Sequence, residues 1–506
     1  MPYGSGFRPH GWVRMTGRGG EAPNVRGRRA IVGALLVVAA SVISLVLWRL
    51  AEGPRDDETV AVSTVTASEA TDTGTSGPAF VAGVSDDGRY LVDQAGAPLL
   101  VQGDSPWSAL ARANVDEWRD YCENRSSNGF NMVILDLVVL PDGGRGNADG
   151  ATDDGLTPFE DFSDWTTPTS EYWARVDAFV EIARSNNITV LLVPAYASDG
   201  SGAVSVLSEQ SPASWFEYGA FLGNRYRDAP NVAWMMGGDF PQDVWSDLSP
   251  VYEAVREGVR SAGDRHLWTA HLAPSLSTDT ADPGFRGTTS TDNAKLAELV
   301  DFQFVYTYQP PYAAVREAYG ENSGPVLFGE GAYVGENNNG GPDTTPETIR
   351  RQSGWALTSG GVGDFLGTQD WWFPDGWSEH LDVPELAQRG VMHRVVGALD
   401  WWRLRPVDGE KFFTAGMSDD VVTGTSDDGG ADVLESDLAT AALADDGSLA
   451  LVYLPTARSI EVDMSLLAED VQGRWVSAAT GVGRAAELSD LTPPGEGDWF
   501  LVLQSA

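Results

Sequence analysis

Residues 234–239 read Trp-Met-Met-Gly-Gly-Asp, an apolar run that ends in the carboxylate of Asp239. A second run of this kind, Val-Leu-Phe-Gly-Glu at residues 326–330, ends in Glu330. Short apolar runs bounded by polar or turn residues are typical of buried parallel strands. Among eight such runs between residues 98 and 372, these two are the fourth and the seventh. The pattern predicts eight strand–helix units that close into a (β/α)8 TIM barrel.

The stretches between these runs have helical character. Asn114 and Glu117 match a capping box, Ser170 is a candidate cap, and Gly360 follows the last predicted helix. An N-terminal hairpin is expected over residues 84–92. The predicted strands are 98–101, 131–139, 188–194, 234–239, 267–271, 302–306, 326–330 and 362–367, and the predicted helices are 115–128, 171–185, 215–226, 251–262 and 349–358.

The order of these elements favours a barrel over a doubly wound sheet. Asp239 and Glu330 are separated by three repeats of about 30 residues, close to the length of one βαβ unit. The sequence has neither a GxGxxG motif after the first strand nor a P-loop, so nucleotide binding has little support.

A barrel of this type places the ends of all its strands on one face, where active sites are built. Asp239 and Glu330 would then approach one pocket from nearly opposite sides. Two carboxyl groups, one working as acid/base and the other as nucleophile, are the equipment of a glycosidase. Gly237 and Gly238 would let a sugar ring come close to the backbone.

Residues 84–405 resemble the apiosidase-like catalytic domain, the group that contains glycoside hydrolase family 140. The resemblance implies that Asp239 is the acid/base and Glu330 the nucleophile of a retaining enzyme. The matching segments are Gly-Arg-Tyr-Leu (88–91), Gly-Ala-Pro (96–98), Gly-Asp-Ser-Pro-Trp (103–107), Asn-Gly-Phe-Asn (128–131), Trp-Met-Met-Gly-Gly-Asp (234–239), Phe-Gly-Glu (328–330), Gln-Ser-Gly-Trp (352–355) and Asp-Trp-Trp-Phe (370–373).

Two segments depart from that family pattern, and both are expected to line the pocket. Tyr333 is followed by Val334, where relatives commonly have Tyr-Glu, and Phe-Leu-Gly at residues 365–367 replaces Tyr-Gly. These departures affect the expected sugar specificity more than the expected catalytic reaction. The resemblance implies a terminal pentofuranose, apiose- or arabinofuranose-like, or a related sugar of a complex polysaccharide. The alternatives are an endo-acting glycanase and a non-catalytic cell-surface carbohydrate-binding protein.

Further polar and aromatic residues stand at or just after the predicted strand ends. The aromatic ones are either sugar-stacking platforms or core residues. Asp104 either binds a sugar hydroxyl or caps the following turn, and His271, Tyr306 and Tyr308 are candidates to hold Glu330. The candidate substrate-binding residues are Asp104, Trp107, Tyr196, His271, Tyr308, Gln369, Trp371 and Trp372.

The C-terminal part, residues 409–506, is predicted to be a small all-β sandwich with an acidic loop over residues 418–446. It resembles the module that often follows this catalytic domain and that is described in family terms as collagen-binding. We expect it to be a structural buttress. The matching segments are 449–455, 473–475, 480–481, 493–494 and 498–503.

The N-terminal part predicts a membrane anchor. Residues 30–48 are uncharged and close to the length that crosses a bilayer. The basic tail, residues 1–29, precedes them, and acidic residues follow within a disordered tether, residues 49–79. The positive-inside rule then places the catalytic domain, residues 80–408, outside the cytoplasmic membrane. The alternative is a signal peptide, with secretion after its cleavage.

The composition excludes several other classes of function. The net charge of −40 argues against nucleic acid or an anionic membrane face as a partner. The partner that the family resemblance implies is a polysaccharide or glycoside substrate. Cys122 is the only cysteine, so no intramolecular disulfide can form, and we expect it to be buried. The five histidines form no metal-ligand motif, and no cofactor is expected.

Overall fold

The computed structural model describes residues 77–140, 146–196, 202–238, 242–272, 289–290, 294–336, 343–418 and 436–505. The predicted anchor at residues 30–48 and most of the predicted tether lie outside these ranges. Within them, no helix combines the length and the apolar composition that crossing a bilayer requires.

The central element is a parallel sheet of eight strands that closes into a nearly complete barrel, as the sequence predicts. It is preceded by the expected hairpin of β1 (Gly83–Val84) and β2 (Leu91–Val92). The barrel strands are β3 (Val101–Asp104), β4 (Met132–Asp136), β5 (Thr189–Val193), β6 (Val232–Gly237), β7 (Trp268–His271), β8 (Gln303–Tyr306), β9 (Val326–Glu330) and β10 (Gly361–Leu366). Their hydrogen-bonded order in the sheet is β7-β6-β5-β4-β3-β10-β9-β8.

The gap between β7 and β8 is bridged at the start of the two strands. The amide of Asp301 donates to the carbonyl of Trp268 at 2.7 Å, and the Thr269 hydroxyl donates to the carbonyl of Phe302 at 2.8 Å. These contacts connect β7 and β8, which are the two end strands of the hydrogen-bonded order.

Strand alternation divides the barrel residues between two apolar clusters. Met132 and Ile134 pack with Met235 inside the barrel, whereas Val133 and Leu135 pack with residues of the surrounding helices. Neighbouring residues of a strand point to opposite sides. This alternation decides which strand-end side chains face the interior.

Helices follow most of the strands, and they extend further than the sequence patterns indicate. The helix that was expected from residue 251 begins at Gln242 and has Pro250 inside it. The helices that were not predicted are Ala109–Arg112, Gly202–Glu209, Ala294–Ala297, Tyr312–Glu321, Pro384–Gly397 and Gly409–Phe412. The helices are α1 (Ala109–Arg112), α2 (Val115–Ser127), α3 (Ser170–Ser185), α4 (Gly202–Glu209), α5 (Pro212–Tyr226), α6 (Gln242–Ser261), α7 (Ala294–Ala297), α8 (Tyr312–Glu321), α9 (Pro346–Thr358), α10 (Pro384–Gly397) and α11 (Gly409–Phe412).

Two of the predicted helix starts can be compared with the structure. The capping box at α2 is confirmed, because Asn114 Oδ1 accepts from the Glu117 amide while Glu117 Oε2 accepts from the Asn114 amide. The predicted cap of α3 is wrong by one residue, since Thr169 is the cap and Ser170 begins the helix. Cys122 is buried in α2, as expected.

A buried ionic cluster attaches α10 to β10. Asp364 of β10 accepts from Arg389 at 2.7 Å and from His393 of the same helix. Burial on its own would raise the pKa of Asp364, but the Arg389 guanidinium and the His393 hydrogen bond outweigh it and hold that pKa well below its usual range. The carboxylate therefore stabilises the folded barrel in its charged form.

Replacing Asp364 by asparagine should lower the free energy of unfolding by about 3 kcal/mol at neutral pH, because the buried Arg389 loses its counter-charge. The pKa is lower in the folded than in the unfolded chain, whose value is about 3.9. The stabilisation is therefore complete above that value and decreases as the pH falls below it. Urea unfolding at pH 7 and pH 3 should show a smaller difference between wild type and variant at pH 3.

The matched control is Asp154→Asn. Asp154 also has a lowered pKa, about 2, mainly through its bond to Arg175. Its side chain is 56% exposed, so solvent screens the pair. An Asp364→Asn effect as small as that of the control would contradict the assignment.

The C-terminal residues form antiparallel sheets. The larger sheet has the order β11-β13-β14-β18-β16-β17, and β12 pairs with β15. The prediction of an acidic loop over residues 418–446 is wrong for its last part, because Thr440–Ala444 forms strand β13. The strands are β11 (Leu404–Pro406), β12 (Phe413–Ala415), β13 (Thr440–Ala444), β14 (Leu449–Leu454), β15 (Glu461–Val462), β16 (Val471–Ser477), β17 (Gly483–Ala486) and β18 (Trp499–Ser505).

The larger sheet packs directly on the barrel through α9. Trp355 Nε1 donates to the carbonyl of Leu438 at 2.8 Å. A side chain at Gly354 would meet the ring of Tyr453 within 2.5 Å, so the helix and the sheet are in close contact there. One apolar cluster contains residues of the barrel interior, α9 and this sheet.

A polar group borders the same interface. Arg350 Nε donates to Asp498 Oδ2 at 2.9 Å, and the Tyr453 hydroxyl donates to the same oxygen at 3.2 Å. The Asp498 side chain is almost fully buried. The interface therefore combines apolar packing with a buried ion pair.

Candidate active site

Glu330, the last residue of β9, is held by a histidine from a neighbouring part of the barrel. Its Oε2 lies 2.6 Å from Nε2 of His271, the last residue of β7. Because a carboxylate only accepts hydrogen bonds, the imidazole Nε2–H is the donor. His271 is fully buried and Glu330 is 7% exposed. Of the candidates to hold Glu330, the structure places His271 in contact with it.

Two aromatic residues enclose this pair. The ring of Trp107 meets the ring of His271 edge-on at 5.1 Å and the ring of Tyr196 at 5.3 Å. Trp107 and Tyr196 are both only 4% exposed. Two of the predicted stacking residues are therefore buried here, with Trp107 against His271 and Tyr196 against Trp107.

Tyr333 is a second residue close to Glu330, and it was missed in the sequence as a neighbour of that residue. Burial together with the charge of Glu330 raises the pKa of Tyr333 well above its usual range. Trp107 Nε1 donates to the Tyr333 oxygen at 2.9 Å. The available signal was a tyrosine three residues after a strand-end glutamate.

The position of Tyr333 depends on a glycine and on continued strand pairing. A side chain at Gly367 would come within 2.2 Å of the Tyr333 ring, so only glycine leaves room for it. The amide of Val334 donates to the carbonyl of Gly367 at 2.9 Å, and Val334 forms a parallel bridge with Thr368. The segments that depart from the family pattern thus pack against each other.

A third group of polar residues lies on the β8 side of Glu330. The hydroxyls of Tyr306 and Tyr308 are 3.2 Å apart. Tyr308 donates to Oε1 of Glu336 at 2.9 Å. Burial, followed by the charges of Glu336 and Glu330, raises the pKa of Tyr308 above its usual range. Tyr306 is the residue of β8 that pairs with Glu330.

The end of β6, where the sequence places the other carboxylate, adjoins His271. Gly237 has φ +96°, a conformation that favours glycine, and it pairs with His271 of β7. The Gly238 amide donates to the His271 carbonyl at 3.2 Å. Asp239 itself lies outside the described residues.

Asp104 does not join the group around Glu330. Val101 of β3 belongs to the interior cluster, and alternation therefore turns Asp104 outward, toward α2. There its carboxylate pairs with Arg125 and accepts from the Tyr121 hydroxyl at 2.5 Å. Its Oδ1 also accepts from the Ser105 amide at 2.9 Å, which agrees with the turn-capping alternative.

The remaining predicted residues lie after β10. The Gln369 amide donates to the Val334 carbonyl at 3.1 Å. Trp371 is partly buried against the interior cluster. Trp372 is 38% exposed, with the Arg112 guanidinium 5.3 Å from its ring centroid. Trp372 is therefore the one of these residues that offers an open aromatic face.

Asp136 is a further carboxylate that sequence reasoning missed. It is the last residue of β4, it is buried, and its Oδ1 accepts from the Val138 amide at 3.3 Å. The predicted strand continued to residue 139, which concealed this strand end. Within the described ranges, no group of three or more His, Cys, Asp or Glu side chains could hold a metal ion.

Comparisons with known proteins agree with this geometry. Residues 85–403 match the family described as "Apiosidase-like, catalytic domain". No curated protein matches the chain in a sequence comparison. A solved glycoside hydrolase shares 20% identity with a TM-score of 0.68, over 86% of this chain and 99% of its own. A family 5 glycoside hydrolase from Bacteroides vulgatus shares 20% identity with a TM-score of 0.67, over 84% and 93%.

At this level of identity the two solved structures support the fold alone. The family match covers more than half of the chain and includes the strands that carry His271 and Glu330. The chain therefore belongs to the apiosidase-like catalytic domain family and is a glycoside hydrolase built on a (β/α)8 barrel.

Proposed function

We propose that this protein is a retaining glycosidase in which Glu330 is the nucleophile and Asp239 the acid/base. The observation that carries the proposal is the position of Glu330 at a strand end, with its carboxylate fixed by His271 at 2.6 Å. Trp107, whose Nε1 donates to the Tyr333 hydroxyl at 2.9 Å, encloses the same region. A carboxylate fixed in this way is oriented for attack on an anomeric carbon.

We further propose that the substrate is a terminal pentofuranose, apiose- or arabinofuranose-like, or a related sugar of a complex polysaccharide. The family relationship supports this sugar class. Trp107, Tyr196, Tyr306 and Tyr333 are all nearly buried around Glu330, which supports a small site for one sugar. The open face of Trp372 would support recognition of a longer chain.

A substrate panel tests the proposal. Protein comprising residues 77–506 would be incubated with aryl glycosides and plant polysaccharides, and the products separated by chromatography. We expect release of one monosaccharide. Release of oligosaccharides alone would favour the endo-acting glycanase. Binding without turnover would favour the carbohydrate-binding protein.

We also propose that residues 30–48 anchor the protein in the cytoplasmic membrane, with the barrel outside. The uncharged apolar run at residues 30–48, with basic residues before it and acidic residues after it, supports this proposal.

Protease added to intact spheroplasts that express the full chain should release an active barrel fragment. Protein lacking residues 1–76 should be soluble and equally active, because the described fold begins after them. The measurement is activity in the supernatant against activity in the membrane pellet. A barrel protected until the membrane is dissolved would contradict the orientation, and release without protease would indicate cleavage of a signal peptide.

A further inference from the structure

Tyr333 is a buried phenol beside the nucleophile to which neither the sequence nor the family match assigns a role. It is 6% exposed and lies three residues after Glu330. Burial, followed by the charge of Glu330, raises the pKa of Tyr333 well above its usual range. Tyr333 therefore keeps its proton, and with it one O–H donor, throughout the neutral pH range.

Trp107 limits the direction of that donor. Its Nε1 lies 2.9 Å from the Tyr333 oxygen. An indole N–H can only donate, so the phenol oxygen accepts this bond and its own hydrogen is directed away from Trp107. Because the charge that acts on the phenol is that of Glu330, the hydrogen is attracted toward the nucleophile.

The backbone and the ring of Tyr333 are both held in place. Its amide donates to Glu336 Oε2 at 2.5 Å, and its carbonyl accepts from the hydroxyl of Thr344. A Cβ at Gly367 would come within 2.2 Å of the ring, so the ring lies directly against that part of the backbone. A donor held in this way is preorganised and loses little conformational freedom when it binds a substrate.

The reaction itself indicates which oxygen of a sugar such a donor would meet. A sugar attacked by Glu330 has its anomeric carbon at that carboxylate, and the hydroxyl on the adjacent carbon, C2, is then close to the neighbours of Glu330. Hydrogen bonds to this hydroxyl strengthen in the transition state. Gly237 and Gly238 have no side chain to offer at the end of β6, so the donor has to come from another strand end.

We propose that Tyr333 donates a hydrogen bond to the C2 hydroxyl of the bound sugar and that Trp107 is the positioning residue that directs it. The inference rests on the proposed function and adds to it a determinant of the sugar. It favours a glycoside with a hydroxyl at C2 over one that lacks it.

The test compares the 4-nitrophenyl pentofuranoside that the wild type hydrolyses, apioside or arabinofuranoside, with its 2-deoxy counterpart. Tyr333→Phe should lower kcat/KM on the hydroxylated substrate by roughly 10- to 100-fold, the range for one buried hydrogen bond. On the 2-deoxy substrate the variant should at least equal the wild type, because no hydroxyl is there to receive the bond. Comparing both proteins on each substrate removes the difference in intrinsic reactivity between the substrates.

Trp107→Phe tests the positioning residue, because phenylalanine keeps an aromatic ring but has no N–H. We expect a loss of kcat/KM on the hydroxylated substrate that exceeds the loss on the 2-deoxy substrate. In the Tyr333→Phe background, Trp107→Phe should add no loss that depends on C2. Weaker packing of Trp107 on His271 would lower kcat/KM equally on both substrates.

Gly367→Ala is a second way to disturb the donor, because it keeps the phenol but displaces its ring. It should also lower kcat/KM more on the hydroxylated than on the 2-deoxy substrate. Circular dichroism and thermal melting show whether each variant folds. Titration calorimetry with the free monosaccharide and its 2-deoxy analogue repeats the comparison without turnover.

Tyr319→Phe is the matched control. Its phenol oxygen is also buried, but its ring packs on Gly360, directly before the start of β10 and so at the opposite end of the barrel from Glu330. Tyr319→Phe should keep wild-type kcat/KM on both substrates.

Equal losses of Tyr333→Phe on both substrates would overturn the inference, because the phenol would then act on the fold or on Glu330 alone. An unchanged Tyr333→Phe enzyme would overturn it as well while leaving the proposed function intact. A wild type that neither hydrolyses glycosides nor binds sugars would overturn both.

Discussion

Glu330→Ala should abolish hydrolysis of every substrate, with kcat lower by roughly 10⁵-fold or more, the size of effect seen when a covalent nucleophile is removed. In the proposed mechanism no glycosyl-enzyme can form without the Glu330 carboxylate. His271 contacts Glu330 and would remain to order water in the vacated space. The measurement is kcat on an aryl glycoside and on the natural polymer.

Asp239→Ala should behave differently, because an acid is needed only when the leaving group is poor. A dinitrophenyl glycoside leaves without protonation and should be spared in the first step. A substrate with a sugar leaving group should lose about 10²- to 10⁴-fold, the usual contribution of general acid catalysis. The ratio of these two losses identifies the acid/base residue.

Azide distinguishes the two roles by stereochemistry. With Asp239→Ala, azide should attack the glycosyl-enzyme and give a glycosyl azide of retained configuration. With Glu330→Ala, azide should enter from the vacated face and give the inverted product. Products of the opposite configuration would exchange the two assignments. Near wild-type rates for both variants would show that this pair is not the catalytic one.

The sequence predicts the residues that terminate strands better than those that follow them. His271 and Glu330 each end an apolar run that is predicted to be a strand, so the order of the runs places both residues on one face of the barrel. In the structure their side chains are hydrogen bonded to each other. For Asp104 the sequence leaves sugar binding and turn capping open, because the predicted strand ends at residue 101. The strand begins there instead, and alternation turns Asp104 away from the interior.

Tyr333 and Glu336 could not be found in this way. Both follow β9 in an irregular segment, where no periodicity indicates the direction of a side chain. Their positions depend on the pairing of Val334 with Thr368 and on the space above Gly367. These are contacts between distant parts of the chain, and local propensity carries no information about them.

The docking of the C-terminal sheet is a second feature of this kind. The alternating strands after residue 440 were predicted, but α9 gives no local sign that it packs against β14. Nor does the short run 404–406 show that it leaves the barrel to become β11, which pairs with β13. The predicted boundary at residue 408 therefore separates a strand from its sheet.

Removing residues 409–506 should prevent the barrel from folding as a soluble monomer. The deletion would uncover Trp355, which is fully buried, and would leave β11 without its partner strand. Burying a large apolar side chain contributes roughly 2–3 kcal/mol, and an unpaired strand edge promotes aggregation. Size-exclusion chromatography of residues 77–408 should show aggregate or no soluble protein.

A point variant tests the same interface in a chain of full length. Asp498→Ala should lower the free energy of unfolding by about 3 kcal/mol, because Arg350, only 11% exposed, loses its carboxylate. Asp446→Ala is the control, since Asp446 pairs with Arg403 on the surface of the same sheet. If residues 77–408 were soluble, active and as stable as residues 77–506, the sheet would be an independent module. A binding role would then have to explain the sheet, because removal of a structural buttress is expected to lower the stability or solubility of the barrel.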